Sequence, residues 1–579
     1  MIALPSIAQR RAALERRFPV WPRVTLAAHF ERACRGFAAR PYFYLDDARV
    51  TYGAVWERAV EYAKAFLAMG VRHRDHVAVL MDNDTAFPAL MVAASLVGAV
   101  FIPINAMLTE REMRYVVAQS DARFLIVRQR VKNRDYGRMA VEMLDSGASA
   151  LARVICLEST RMPGVGDRAT TWDAFLAGGE ATSDAALQQR RDRSAYPDEV
   201  AIILYTSGST GSPKGVMLTG DMLLRCAYST CLSRAIEVGR VTFAPLPFYH
   251  CFAIVESILA MSFVGGAFIS APGASPLHSL ELMEKFHAND YLCVPSMLLP
   301  LLDHPRVAQF DLSALFAMWC GAAPAPVSVW QRARDILGLR EIVTGYGQTE
   351  VSSSGVITRL DDPLEKVASR VGRPKPGGVS GLPEFGGSPV EYRVIDRDTG
   401  APLPARSVGE LAVRGATVTR GYYRKPDETA RAIDKDGWLR TGDVGRIDDD
   451  GYLQILGRSE EMYKVSGELV APREVEIVLS DHPAVSLAYV VGVPSARTTE
   501  TGAAFVELRP DARCTRRTLI DWCAARLTAY KVPRYVWFLA PGEWPMTGSG
   551  KVQKFHLREM AQLRRAHRTP AAKRHAVPS

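Results

Sequence analysis

The sequence predicts an α/β protein with a large N-terminal domain, in which parallel sheets are flanked by helices, and a small α+β C-terminal domain. Three observations predict this class. Apolar strand-like runs alternate with helical patterns between residues 77 and 205, which is the order of βαβ units. After residue 385 the strand signals become shorter and favour antiparallel pairing. A length of 579 residues leaves room for more than one domain.

The N-terminal elements follow from apolar runs that are separated by helical periodicity. Short apolar runs bounded by glycine or polar residues indicate buried strands, and longer patterns with a period of 3.6 indicate helices. In chain order the predicted elements are a strand at Val77–Met81, a helix at Ala86–Val97, a strand at Val100–Ile104, a helix around Glu110–Ser120, and strands at Phe124–Val127 and Val200–Tyr205.

The C-terminal part contains a polar stretch, Gly457–Glu461, followed by a compact unit of about a hundred residues, which is enough for a small domain. We therefore predict an N-terminal domain at 1–456, a hinge at 457–461, a C-terminal domain at 462–565 and a basic tail at 566–579. The elements predicted after residue 385 are strands at Val390–Asp396, Gly409–Arg414 and Tyr452–Leu456 before the hinge, and beyond it a helix at Pro472–Ser480, strands at Leu487–Val493 and Ala503–Leu508, a helix at Thr515–Leu527 and a strand at Val536–Ala540.

Composition excludes several classes of protein. The formal net charge of +9 suits anionic ligands, but the sequence has no zinc spacing, basic zipper or aromatic RNA-binding signature, so no nucleic-acid partner is predicted. Nine scattered cysteines without a Cys-x-x-Cys pair, and an N-terminal apolar run too short for a signal peptide, favour a cytoplasmic protein. The apolar stretches Ala86–Ile104 and Cys251–Pro272 contain glycine or proline, and each predicts a buried helix, a glycine turn and a buried strand. No transmembrane segment is predicted.

A glycine-rich loop after the strand at Val200–Tyr205 is the first candidate for chemistry. Glycines let backbone N–H groups converge on an anion, hydroxyl groups add donors, and Lys214 adds a positive charge. The spacing differs from the loop of ordinary nucleotide hydrolases. The residues of this predicted anion-binding loop are Thr206, Ser207, Gly208, Ser209, Thr210, Gly211 and Lys214.

The loop resembles the signature of the adenylate-forming superfamily, which comprises acyl-CoA synthetases, luciferases and the adenylation domains of peptide synthetases. Further matches occur in order along most of the chain. The segment Thr344–Glu350 resembles a family motif and implies that Tyr346 stacks on adenine, that Thr349 contacts phosphate and that Glu350 binds Mg²⁺. Gly347 and Gln348 complete this motif. The resemblance also implies a small β-barrel-like subdomain and a mobile C-terminal domain.

The remaining matches imply further ligand contacts. In the small-residue turn Cys320–Pro324, the backbone of Gly321 and Ala322 approaches adenine and the acyl group. Asp443 accepts the ribose hydroxyl groups, which is sound chemistry for a carboxylate. The other residues that the resemblance implicates are Ile455 and Arg458 at the nucleotide, Glu460 as the pivot of the hinge where relatives usually have Asp or Lys, Lys464, Ser466 and Gly467 at the thiolation site, and Lys551 as the adenylation lysine.

His250 bears on the substrate. It lies in a Pro-x-x-Phe-Tyr-His segment that resembles acyl- and aryl-CoA synthetases, in which it lines the wall between acyl pocket and CoA tunnel. Amino-acid adenylation domains carry an Asp just downstream, whereas residues 251–254 contain no acid, so a buried substrate amine has no counter-charge. The extra segment 377–389 is interpreted as a surface excursion, and contact with a partner or a cap over the pocket are the alternatives.

We therefore predict an ATP-dependent acid–CoA ligase that uses ATP, Mg²⁺ and CoA on a fatty, alicyclic or aryl acid. This prediction assigns catalytic roles to Lys551, Lys214, Thr206, Glu350 and His250. The first alternative is a fatty-acyl-AMP ligase that passes the acyl group to a separate carrier protein. A luciferase-like oxygenase and a catalytically inactive nucleotide-binding regulator are further alternatives, and the latter predicts loss of residues that are present. A homodimer is left open.

Overall fold

The computed structural model describes residues 4–131, 134–147, 149–158, 168–206, 212–323, 325–466, 468–495, 497–546 and 552–566. The chain divides into two compact units. The first unit comprises Met1–Tyr392 and Val413–Arg440, and the second comprises Arg393–Ala412 and Thr441–Ser579.

The first unit contains a seven-stranded sheet that is parallel except at one edge, where Pro41–Leu45 pairs antiparallel with Ala48–Thr51. Its parallel strands are almost continuously apolar and buried, as expected for a sheet that is covered on both faces. The spatial order is Glu341–Val343, Ala317–Cys320, Asp290–Cys293, Val241–Phe243, Ala267–Ser270, Pro41–Leu45 and Ala48–Thr51.

A second seven-stranded sheet in the same unit is also mainly parallel. Its order is Lys214–Thr219, Val200–Thr206, Val100–Pro103, His76–Leu80, Phe124–Val127, Arg153–Cys156 and Ala169–Thr171. At one edge, Val200–Thr206 and Lys214–Thr219 pair antiparallel, with Thr206 opposite Lys214. The glycine-rich segment therefore joins the two strands of a hairpin at the edge of this sheet.

Helices pack against both large sheets of the first unit. Gly220–Ser233 is buried along its whole length, and a π-helical turn at Ile254–Leu259 interrupts the helical stretch from Cys251 to Val264. The other α-helices are Ile7–Arg17, Leu26–Phe37, Tyr52–Ala68, Phe87–Val97, Glu110–Gln119, Tyr136–Ser146, Trp172–Gly179, Asp184–Asp192, Pro276–Lys285, Pro295–Leu302, Val327–Leu337, Leu364–Ser369 and Pro426–Ala432.

Smaller sheets complete the first unit. Gly345–Tyr346, Val356–Ile357 and Arg373–Pro374 form a three-stranded antiparallel sheet, and Arg130–Val131 pairs with Arg134–Asp135. Short 3₁₀ helices lie at Val307–Gln309, Thr349–Val351, Gly378–Ser380 and Pro383–Phe385.

The four strands Val390–Ile395, Gly409–Gly415, Leu439–Ile447 and Leu453–Arg458 form a sheet in that order, and most of their residues belong to the second unit. A second sheet of this unit has the order Glu468–Val470, Tyr463–Val465, Thr499–Leu508 and Val485–Ser495, with Tyr535–Phe538 parallel to Thr499–Leu508. The helices of the second unit are Pro472–Ser480, Arg516–Ala524, the 3₁₀ turn Ala529–Lys531 and Lys554–Ala566.

The predicted fold class is confirmed. The strand Phe124–Val127 and the helix Pro472–Ser480 have the predicted bounds, and most other predicted elements differ by one or two residues at an end. The stretch Cys251–Pro272 forms helices, a turn at Gly265–Gly266 and the strand Ala267–Ser270, as predicted. Among the described residues, no helix combines the length and the hydropathy that a membrane span requires.

The segment 377–389 is not a plain surface excursion, so that interpretation was wrong. Its ends close on each other, because the Gly377 amide donates to the Gly387 carbonyl at 2.8 Å. Ser380 is buried, and its carbonyl accepts a 2.6 Å hydrogen bond from Nη1 of Arg225 on the buried helix Gly220–Ser233. A bend of the chain that looks like an insertion in sequence is thus attached to the core.

Candidate active site

The strand order of the first sheet predicts where a ligand binds in the first unit. Val241–Phe243 lies between Ala267–Ser270, the next strand in the chain, and Asp290–Cys293, so the direction of winding reverses there. Ligands of open parallel sheets bind beyond the carboxyl ends of the strands at such a reversal. The segments that follow these ends contain His250–Ile254 and Val294–Leu298, and the first of them includes the predicted pocket residue His250.

Apolar side chains form a wall where these strands end. The Phe252 ring packs edge-on against Trp319, with ring centroids 5.2 Å apart. Gly321 follows the strand of Trp319, and its amide donates to the Cys293 carbonyl at 3.1 Å. Ala322 has a φ of 65°, in the left-handed region that alanine rarely adopts. The predicted small-residue turn is therefore held in an unusual backbone conformation beside an aromatic wall.

His250 stands at the start of the helical stretch that carries Phe252. Its Nδ1 accepts a 3.2 Å hydrogen bond from the Phe252 amide, which requires the neutral ring with its proton on Nε2. Desolvation lowers the pKa of His250 below its ordinary value, although the residue retains exposed surface. The lowered pKa and the exposed surface are both expected for a ring in a concave wall, because many protein atoms surround the ring while water still reaches it.

Lys214 and Glu350, which are far apart in the sequence, are brought together around Tyr422. The Lys214 Nζ lies 5.1 Å from the centroid of the Tyr422 ring, and the Tyr422 hydroxyl donates to Glu350 Oε1 at 3.0 Å. Backbone pairing fixes this arrangement, since Val216 forms a bridge with Tyr422 and the Thr419 amide donates to the Glu350 carbonyl at 2.7 Å. Thr206 lies opposite Lys214, whereas Ser207, Gly208, Ser209, Thr210 and Gly211 lie outside the described residues.

The segment Tyr346–Glu350 adjoins the aromatic wall. Thr349 is buried, and its hydroxyl lies 3.5 Å from the Cys251 thiol, next to His250. Tyr346 is half-buried on a short strand, with its ring centroid 6.4 Å from that of Tyr392. Gln348 holds the following turn through its carbonyl, which accepts from the amides of Val351 and Ser353. The predicted phosphate and Mg²⁺ residues thus lie beside the predicted acyl pocket.

Gly347→Ala tests how tightly this segment is packed. A Cβ on Gly347 would lie 1.9 Å from the Ser353 carbonyl oxygen, far inside van der Waals contact with backbone that cannot rotate away. We expect the ATP-dependent activity of Gly347→Ala to be at least ~100-fold lower than that of the wild type. The added Cβ forces the backbone to shift further than a catalytic site tolerates. Gly178→Ala is the control, because a Cβ added at Gly178 meets open space and the backbone there has no positive φ. Equal activities of both variants would contradict this packing.

The second unit holds the predicted ribose residues. Asp443 is buried, and its Oδ1 lies 3.0 Å from Nε of Arg458, which is its cross-strand partner. Ile455 lies on the same strand as Arg458, opposite Gly445. Gly442 has a φ of 72°, and its amide donates to Glu410 Oε1 at 3.1 Å, so the turn before Asp443 is fixed. A carboxylate that is oriented by a guanidinium group is well placed to accept two hydroxyl groups.

The predicted thiolation and hinge residues are at the surface of the second unit. Lys464 and Ser466 are exposed on the hairpin of Tyr463–Val465 and Glu468–Val470, and Ser466 has a φ of 52°. Glu460 is exposed in the turn after Leu453–Arg458. Gly467 and Lys551 lie outside the described residues.

Two features of the site were missed in the sequence. Tyr422 was not predicted as a site residue, and only the hairpin pairing reveals that it contacts both Lys214 and Glu350. In the second unit, burial lowers the pKa of Arg473 to about 10, and this shift is opposed by the carboxylates of Glu476 and Asp443. No local signal marks the contacts of Tyr422 or the proximity of Arg473 to Asp443, because each depends on segments that are distant in sequence.

Comparison with known proteins decides the family. The family model described as AMP-binding enzyme matches residues 30–423, and the model of the AMP-binding enzyme C-terminal domain matches residues 474–551. The chain belongs to the AMP-binding enzyme family. It is 32% identical over 525 residues to a putative acyl-CoA synthetase of Bacillus subtilis, covering 89% of this chain and 92% of the relative. The predicted superfamily and its acyl-CoA ligase branch are thereby confirmed.

Further relatives agree. A ligase of Mycobacterium tuberculosis that joins CoA to a methyl-dioxo-octahydroindenyl propanoate is 32% identical, covering 93% of this chain and 99% of the relative. ATP-bound MatB of Rhodopseudomonas palustris has a TM-score of 0.78 at 25% identity, covering 93% of this chain and 99% of that one. The protein is therefore an AMP-forming acyl-CoA ligase, an enzyme that joins an acid to CoA.

Proposed function

We propose that the enzyme adenylates a fatty, alicyclic or aryl acid with MgATP and transfers the acyl group to free CoA. The observation that carries this proposal is the position of Thr349 and Glu350 beside the apolar wall of Phe252 and Trp319. This juxtaposition suits a hydrophobic acid whose carboxylate meets the phosphates of ATP. Relatives at about 30% identity act on bulky ring acids, including ferulate in an Amycolatopsis enzyme at 31% identity, which supports this choice of acids.

In the first step a carboxylate oxygen forms a bond to the α-phosphorus of ATP, and the bond to the β-phosphate bridge breaks. Pyrophosphate leaves with the electron pair, and acyl-AMP is formed. Lys214 balances negative charge on the phosphates, and Asp443 and Arg458 hold the ribose. Lys551 stabilises the charge that develops between carboxylate and α-phosphate.

Glu350 fits the role of a Mg²⁺ ligand. A carboxylate oxygen is the hard donor that Mg²⁺ prefers, and the Tyr422 hydroxyl fixes its orientation from one side. When bound, Mg²⁺ neutralises charge on the pyrophosphate leaving group.

In the second step the CoA sulfur bonds to the carbonyl carbon of acyl-AMP, and the thiol proton passes to solvent. AMP leaves with the oxygen that came from the carboxylate. We propose that the C-terminal domain turns about Glu460 between the steps, which removes Lys551 and presents Lys464, Ser466 and Gly467 to CoA.

A screen of pyrophosphate release over a panel of acids, with and without CoA, tests this function. We expect a fatty, alicyclic or aryl acid to give the highest kcat/KM and CoA to be consumed stoichiometrically. Amino acids as the best substrates would contradict the proposed pocket. Acyl-AMP formation without CoA consumption, followed by transfer to a carrier protein, would establish the carrier-dependent alternative.

Glu350→Gln tests the Mg²⁺ assignment. We expect the Mg²⁺ concentration for half-maximal pyrophosphate release to rise ~10-fold or more, because the amide has lost the negative charge that attracts the cation. Titrating Mg²⁺ at saturating ATP and acid measures this shift. Glu57→Gln, at an exposed position on the helix Tyr52–Ala68 of the same unit, is the control, and an unchanged Mg²⁺ dependence of Glu350→Gln would exclude this ligand.

A further inference from the structure

Two opposite charges are buried in the core of the first unit. Glu256 and Lys375 are 0% and 1% exposed. A buried charge of either sign destabilises a protein strongly unless it is paired and fully hydrogen-bonded, so such a pair needs a specific environment. The proposed reaction steps use neither residue.

Two hydroxyl groups join these charges. The Lys375 ammonium donates to Oγ1 of Thr230 at 2.9 Å and to Oγ of Ser354 at 3.0 Å. The same hydroxyls donate to the Glu256 carboxylate, at 2.5 Å from Thr230 and 2.7 Å from Ser354. The Cys226 carbonyl accepts the third ammonium hydrogen at 3.1 Å. Each hydroxyl therefore accepts from the cation and donates to the anion, which orients all of its hydrogen bonds.

The network connects four segments around the candidate site. Glu256 lies in the π-helical turn Ile254–Leu259, directly after the wall residues His250–Ile254. π-Helical turns occur frequently at functional sites. Thr230 belongs to the buried helix Gly220–Ser233, and Lys375 directly follows the strand Arg373–Pro374. Ser354 ends the turn that follows Thr349 and Glu350.

This turn has a backbone that needs support. Ser352 and Ser353 have φ values of 62° and 116°, which cost energy for residues with a side chain. The Ser353 amide donates to the Gln348 carbonyl at 3.3 Å, and the turn crosses directly over Gly347. A displacement of Ser354 is therefore transmitted to the backbone of Gly347–Glu350.

We propose that Glu256 and Lys375 are positioning residues, which connect the wall of the acyl pocket to the segment that holds phosphate and Mg²⁺. Through Ser354 they set the backbone of residues 347–350, so that Glu350 and Thr349 are preorganised for MgATP. A shift of the π-helical turn, on which the acyl pocket depends, is thereby coupled to the nucleotide segment. This inference rests on the proposed function, because it assigns MgATP to Glu350.

The first set of variants separates stability from positioning. Lys375→Met and Glu256→Gln each leave one partner without its opposite charge, and we expect each to lower the unfolding midpoint by about 5–10 °C. The double variant Glu256→Gln/Lys375→Met removes both charges, and we expect its midpoint to lie within about 3 °C of the wild type. Its affinity for MgATP should nevertheless be reduced about 10-fold, because the orientation of Ser354 is lost.

A second, milder variant keeps the test interpretable if the double variant does not fold. Ser354→Ala removes only the hydroxyl that joins both charges to the turn. Ser233→Ala is its matched control, since the buried Ser233 hydroxyl donates to the Ser229 carbonyl within its own helix. We expect Ser354→Ala to weaken MgATP about 10-fold and to weaken metal-free ATP less, and Ser233→Ala to leave both unchanged.

Calorimetric titration of each variant with ATP, with and without Mg²⁺ and in the absence of any acid, is the decisive measurement. Wild-type MgATP affinity in both Ser354→Ala and the double variant would overturn the proposal and leave the network a purely structural role. Because no acid or CoA is added, the titration stays informative if the assigned acids are wrong. A wild-type enzyme that binds ATP equally with and without Mg²⁺ would instead contradict the proposed function.

Discussion

Lys551→Ala is expected to abolish acid-dependent release of pyrophosphate while it retains the transfer of the acyl group from pre-made acyl-AMP to CoA. In the proposed reaction the lysine supplies positive charge only while the carboxylate attacks the α-phosphorus, and loss of one such transition-state contact costs about 10²–10³ in rate. Rapid-mixing assays of the two half-reactions measure the effect separately. Lys435→Ala, at an exposed lysine outside the site, is the control for a lost surface charge.

The comparison of the two half-reactions decides the role of Lys551. A variant that loses both equally would indicate a general loss of structure or of nucleotide binding. A variant that retains adenylation would show that another cation supports this step. Lys214 would then be the candidate, because it lies near Glu350.

Asp443→Ala is expected to reduce kcat/KM for ATP by ~100-fold or more. Two charge-assisted hydrogen bonds to ribose are lost, each worth roughly 1.5–3 kcal/mol, and Arg458 loses the carboxylate 3.0 Å from its Nε. Asp443→Asn keeps the shape of the side chain without its charge, so we expect an intermediate loss. Steady-state kinetics at saturating acid and CoA give the ratio.

A substrate analogue makes this prediction specific to the ribose. The wild type should discriminate against 2′-deoxy-ATP, and Asp443→Ala should process ATP and 2′-deoxy-ATP at nearly the same reduced rate. If Asp443→Ala discriminated between the two nucleotides as strongly as the wild type, the ribose contact would lie elsewhere.

Much of the fold could be predicted because its signals are local. A strand such as Phe124–Val127 is buried on both faces and is therefore apolar along its whole length. Pro472 marks the start of the helix Pro472–Ser480, because proline is favoured in the first helical turn. The interpretation of segment 377–389 was wrong because glycine and proline occur in exposed loops and in anchored loops alike. Only the partner, Arg225 on a distant helix, distinguishes the two.

The residues of the candidate site also divide into those with a local sequence signal and those without one. Glu350, Asp443 and Lys214 were predicted as site residues because each lies in a short run of residues whose chemistry is unusual. Tyr422, Glu256 and Lys375 were not, because a single tyrosine, glutamate or lysine has no local mark of burial. Their roles arise from strand register and from hydroxyl groups contributed by other elements, such as Thr230 and Ser354.

Isotope transfer tests the central claim, carboxylate adenylation, most directly. The wild-type enzyme is given an acid labelled with ¹⁸O in both carboxylate oxygens, together with ATP, Mg²⁺ and CoA, and the products are analysed by mass spectrometry. Attack on the α-phosphorus predicts one ¹⁸O atom in each AMP and none in pyrophosphate. Unlabelled AMP, or ¹⁸O in inorganic phosphate, would show that the acid is activated in another way and would contradict this account.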